Sequence, residues 1–104
     1  MEGYVRVVSR KDIAEGCGKS IRVDGKDVAI FNIDGQYYAM DDICPHMGAP
    51  LGEGTLDGEN VICPWHGWTF NVKTGKFTTN PDAGVDSYNL KVEGDDIFVD
   101  FKNS

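Results

Sequence analysis

Asp86-Ser87-Tyr88-Asn89-Leu90-Lys91-Val92-Glu93-Gly94-Asp95-Asp96-Ile97-Phe98-Val99-Asp100-Phe101 reads as one hairpin. Two runs rich in β-branched and aromatic residues flank the Gly94-Asp95 turn signal. The second run puts Ile97, Val99 and Phe101 on one face and Phe98 and Asp100 on the other. The same punctuation recurs at Asp24-Gly25, Asp34-Gly35, Asp57-Gly58 and Thr74-Gly75. Thirteen glycines in 104 residues are nearly twice the usual share of about 7%, which favours short strands over helices. Strands are expected at 4–8, 20–23, 27–32, 36–41, 60–62, 69–72, 86–93 and 96–101. Only Ser9–Glu15 suits a helical turn, with Ser9 as N-cap, Asp12 near the free amides and Gly16 and Gly18 as stops. Eight short strands predict an all-β chain, a small antiparallel sandwich or barrel.

The chain has the size of one domain with one core. A net charge of -7 repels phosphate backbones and anionic membranes, so a basic protein is the expected partner. The charge is uneven. Residues 1–33 carry six basic and five acidic groups, whereas 34–79 and 80–104 each carry two basic and six acidic. Three cysteines cannot all pair, no leader opens the chain and no apolar run could span a bilayer. These features predict an intracellular, cytoplasmic protein without a disulfide framework.

Two short motifs carry the chemistry. Cys44-Pro45-His46 and Cys63-Pro64-Trp65-His66 each offer one thiolate and one imidazole in a Gly/Pro loop after a strand. The sixteen residues between His46 and Cys63 suffice for a hairpin, turning at Asp57-Gly58, that returns the second loop beside the first. Pro45 and Pro64 stiffen the loops, while Gly48, Gly52 and Gly67 admit close backbone approach. A tetrahedral zinc site would accept two Cys and two His, but its knuckles space ligands by two to four residues, and only Pro45 separates Cys44 from His46. A 2Fe-2S cluster relieves that constraint, because each loop gives its cysteine to one iron and its histidine to the other.

With its two boxes, Cys44-Pro45-His46-Met47-Gly48-Ala49-Pro50-Leu51 and Cys63-Pro64-Trp65-His66-Gly67-Trp68-Thr69-Phe70, the sequence resembles the Rieske family, specifically its ferredoxins that feed electrons to oxygenases. The resemblance covers essentially the whole chain. It implies a single Rieske domain over 1–104, with a cluster-binding subdomain of two loops at about 42–72 inserted in the β-sandwich. It implies that Cys44 and Cys63 hold one iron and His46 and His66 the other, and that Thr79–Gly84 is the proline-bearing loop covering the cluster. High-potential relatives carry a second cysteine in each box, forming a disulfide, where this chain has Ala49 and Trp65. They carry a serine and a tyrosine where it has Trp68 and Phe70, and they have a membrane anchor. These departures point to the low-potential ferredoxin branch, near about -150 mV at the lower end of the Rieske range.

The resemblance therefore implies an electron carrier and not an enzyme: a monomer passing one electron from a reductase to a terminal oxygenase. Two alternatives stand beside it, the small subunit of an assimilatory nitrite reductase and a zinc-stabilised interaction module. Cys17, outside both boxes, is read as an inert thiol. Met47 and Leu51 serve either as cluster shielding or as core packing, and Trp65 and Trp68 as cluster shielding, a docking surface or ordinary aromatic packing. Asp95, Asp96 and Asp100 are read as a solvated face.

Overall fold

The computed structural model describes residues 4–23, 25–42, 50–63, 69–78 and 80–100. Eleven strands occur among them, in two antiparallel sheets. The larger sheet has the order β1 (Tyr4–Ser9), β11 (Asp96–Asp100), β10 (Ser87–Glu93), β4 (Gln36–Asp41), β3 (Lys26–Ile33) and β2 (Cys17–Val23). The smaller runs in chain order through β5 (Thr55–Asp57), β6 (Asn60–Ile62), β7 (Thr69–Asn71), β8 (Lys76–Phe77) and β9 (Asn80–Gly84). The all-β expectation holds, and no helix among the described residues is long and apolar enough to cross a membrane.

The hairpins close where the turn signals stand, because residues there adopt positive φ. Asp34 (54°) and Gly35 (82°) form a two-residue turn of the kind whose twist matches paired strands, and Gly58 (61°) and Gly94 (60°) close two more. Gly75 is under tighter constraint. Its φ is +77°, and a β-carbon there would lie 2.2 Å from the carbonyl oxygen of Val85, whose N–H donates to Gly75 O at 2.8 Å. Gly75→Ala is expected to cost about 2 kcal/mol or more, read as a lower denaturation midpoint.

The run Val28-Ala29-Ile30-Phe31 is wholly buried because β3 is covered on both faces. Val28 and Ile30 face a cluster with Val8, Ile13, Ala39, Ile97 and Val99 within the larger sheet's fold. Ala29 and Phe31 face a second cluster with Met40, Leu51, Val61, Cys63, Phe70 and Val72, between the two sheets. β4 repeats the division, with Ala39 in the first cluster and Met40 in the second. These two strands are the wall on which the smaller sheet rests.

Several expectations need correction. The strands β5, β8 and β9 escape a reading by pattern because they are short or, in β9, contain proline. The segment Thr79–Gly84, expected as a loop, contains edge strand β9, paired with β8 through a register shift between Lys76 and Phe77. Edges and bulges tolerate a proline that cannot donate to the ladder. The expected helical turn after Ser9 is a 3-10 turn, Arg10–Asp12, with the Ser9 hydroxyl accepting from Lys11 N. A second 3-10 turn, Leu51–Glu53, was not anticipated.

Of the three acids read as a solvated face, Asp95 and Asp96 have exposed side chains and Asp100 is the exception. Asp100 is buried, since β11 lies between β1 and β10. Asp96 pairs with Arg6 at 2.9 Å, and Asp95 with Arg10 and Lys11 at 3.0 and 3.1 Å. Hydrogen bonds from Lys11 and Arg10 hold the Asp95 carboxyl below its ordinary range. Phe101 and Asp24 lie outside the described residues.

Candidate metal centre

Both segments expected to carry the ligands are flanked by described residues. The first spans residues 43–50, from the end of β4 to the Leu51–Glu53 turn. The second spans 63–68, from β6 to β7. Of the four expected ligands Cys63 is described; Cys44, His46 and His66 lie outside the described residues, as do Met47, Gly48, Ala49, Pro64, Trp65, Gly67 and Trp68.

What is described is the base of each loop. At the first, Leu51 N–H donates to the Asp42 carbonyl at 2.5 Å, so the chain re-enters beside the point where it left. At the second, Ile62 faces Thr69 across β6 and β7, and Thr78 N–H donates to Thr69 O at 3.0 Å. The hairpin turning at Asp57-Gly58, expected from the spacing, sets the two bases side by side: Thr55 pairs with Ile62. A β-carbon on Gly54 would lie 2.4 Å from the Ile62 carbonyl oxygen. That contact leaves room only for glycine where the first loop's exit crosses the second loop's entry.

Cys63 stands at the head of the second loop, 2% exposed, in the cluster that also holds Leu51 and Met40. Leu51 is thus core packing. A buried thiol flanked by apolar side chains suits a metal-sulfur group shielded from water, and two Cys with two His is a donor set matched to a 2Fe-2S cluster. Phe70, immediately beyond the loop, is fully buried with its ring 5.5 Å from that of Phe77.

One residue that pattern reading passed over supports the first loop. Asp42 is buried, and its Oδ1 accepts from the Ser20 hydroxyl at 2.8 Å and from Gly52 N–H at 2.7 Å. Burial pushes the Asp42 carboxyl above its ordinary range, against the two hydrogen bonds that lower it. Its neighbour Asp41 accepts from the Tyr88 hydroxyl, and burial first, then that bond, push the phenol upward. Cys17 is exposed at the start of β2.

The family model for the Rieske [2Fe-2S] domain matches residues 3–92. The chain is 32% identical over 100 residues to the ferredoxin component of the naphthalene 1,2-dioxygenase system of Pseudomonas aeruginosa, covering 95% of this chain and 96% of that one. It is 41% identical over 92 residues to the 3-phenylpropionate/cinnamic acid dioxygenase ferredoxin subunit of Escherichia coli, covering 86% and 85%. Among solved structures it is similar to a chain in the complex of reduced oxygenase and oxidised ferredoxin of carbazole 1,9a-dioxygenase, with TM-score 0.85, 30% identity and coverage of 100% and 98%. A putative nitrite reductase small subunit from Mycobacterium tuberculosis shares the fold at TM-score 0.84, but with 23% identity over 92% of each chain. The zinc-stabilised alternative falls with these matches. The chain belongs to the Rieske [2Fe-2S] domain family, as a ferredoxin-type electron carrier whose cofactor is a Rieske 2Fe-2S cluster.

Proposed function

We propose that this chain takes one electron from a reductase and delivers it to a terminal oxygenase acting on aromatic compounds, with Cys44 and Cys63 holding one iron and His46 and His66 the other. The observation that carries the reading is the pair of closed loop bases set side by side, with Cys63 buried at the head of one. The cluster supplies reversible one-electron storage, and the protein supplies its binding and tuning. Ferredoxins that this chain resembles serve aromatic-ring dioxygenase systems. The exposed thiol of Cys17 suits a reducing cytoplasm.

The test is compositional and spectroscopic. Chain purified anaerobically from iron-replete cells is expected to hold two irons and two acid-labile sulfides and, once reduced, to give a rhombic paramagnetic signal of low average g. Stoichiometric zinc without visible absorbance would overturn the assignment.

The potential follows from Phe70. A hydroxyl donor to cluster sulfur favours the reduced state, and Phe70 has none. The chain is expected near the low end of the Rieske range, about -150 mV. Phe70→Tyr should raise the potential. A hydrogen bond to a charged group is worth about 1.5–3 kcal/mol, so the rise stays below roughly 65–130 mV, because the oxidised centre also accepts part of the bond. Because Phe70 is packed against Phe77, the added oxygen should also lower stability by about 1–3 kcal/mol. Protein-film voltammetry decides: a wild-type value well above zero, or a downward shift in the variant, contradicts the tuning.

A further inference from the structure

Asp42 joins three parts of the fold. It follows the last residue of β4, where the first loop departs, and its carbonyl accepts from Leu51 N–H, where the loop returns. Its Oδ1 accepts from Gly52 N–H in the exit turn and from the Ser20 hydroxyl on β2. β2 is not a neighbour of β4 in the sheet, since β3 lies between them. Its own N–H donates to Asp27 O on β3 at 3.2 Å, so the residue is held from four directions.

The exit turn lies directly on β2. A β-carbon on Gly52 would come within 2.6 Å of Lys19 C, Ser20 N and Ser20 Oγ, and one on Gly18 within 3.0 Å of Gly52 O. Contact this close packs the exit turn against β2, with the Asp42 carboxylate as the acceptor of Gly52 N–H. Removing that acceptor would strand a buried N–H and free the loop's exit from the sheet.

We infer that Asp42 is a positioning residue for the first cluster loop, a hydrogen-bond clasp from Oδ1 to Ser20 and Gly52 that governs how firmly Cys44 and His46 retain the cluster. The inference rests on the ligand set proposed above. The clasp works through acceptor geometry. An asparagine presenting its oxygen at the same point accepts both bonds, whereas an alanine accepts neither.

The experiment follows the bleaching of visible absorbance when a ferrous-iron chelator is added to the reduced, cluster-loaded protein, well below its unfolding temperature. It compares wild type with Asp42→Asn, Asp42→Ala and Ser20→Ala, and records the paramagnetic line shape of each. Asp42→Asn is expected to bleach within about twofold of wild type with an unchanged signal. Ser20→Ala, which loses one bond, should bleach roughly two- to tenfold faster, and Asp42→Ala roughly ten- to a hundredfold faster with a broadened signal. Should Asp42→Ala fail to fold, Ser20→Ala decides, since it removes a single hydroxyl. Wild-type rates in both alanine variants, or an Asp42→Asn variant as labile as Asp42→Ala, overturn the clasp. A wild type lacking iron and sulfide overturns the ligand set itself, and the clasp with it.

Discussion

Cys63→Ser, His46→Ala and His66→Ala are each expected to yield a colourless chain with almost no bound iron or sulfide, while Cys17→Ser retains the full complement. The difference lies in chemistry and place. At neutral pH a serine hydroxyl stays protonated and is a far weaker ligand than a thiolate, and an alanine offers no donor. Cys63 sits in the apolar cluster shared by Val61, Phe70 and Leu51, so serine there also buries a hydroxyl, at about 1–3 kcal/mol. The histidine variants separate the two effects, because they remove a donor without placing a polar group in that cluster. Cys17 is exposed on β2, outside both Cys/His boxes. Iron and sulfide analysis with the visible spectrum of all four variants checks the expectation. A Cys63→Ser chain that keeps its colour would exclude Cys63 from the ligand set.

Electron transfer with a cognate partner should slow about tenfold or more as ionic strength rises from about 0.01 M to 0.15 M and the Debye length falls from about 30 Å to about 8 Å. A net charge of -7 provides the long-range attraction to a basic partner. The structure narrows which acids take part. Asp95, Asp96, Glu59 and Glu93 are engaged by Arg10, Lys11, Arg6, Lys73 and Lys91. Asp12, Glu15, Asp34, Glu53, Asp57 and Asp86 are exposed and form no ion pair with another described residue. Neutralising Glu53, which lies in the exit turn of the first loop, should reduce the salt dependence more than neutralising Asp95, whose charge is already balanced by Arg10 and Lys11. Stopped-flow rates across the salt series provide the check. A rate that stays flat would point to a mainly apolar interface.

The sequence by itself determined the two Cys/His boxes that mark the family, the turns and the all-β class, for local reasons. A cluster with mixed ligation needs cysteine and histidine a few residues apart, and hairpins at Asp34-Gly35, Asp57-Gly58 and Gly94 need residues that tolerate positive φ. The alternation of Ile97 and Val99 was legible because one side of β11 meets the core. Only the tertiary structure decided what depends on partners far away in the chain. The run 28–31 lacks a visible period because β3 is buried on both faces, and no local pattern reveals which cluster each side chain enters. The surface ion pairs of Asp95 and Asp96 were equally hidden, because it is the pairing of β1 with β11 that brings Arg6 and Arg10 against them from 85 to 90 residues away. Asp42 carries no local signal in the sequence. Its role arises because the order β4, β3, β2 lets a carboxylate just past β4 reach Ser20 across the intervening strand, a contact set by sheet order and not by spacing.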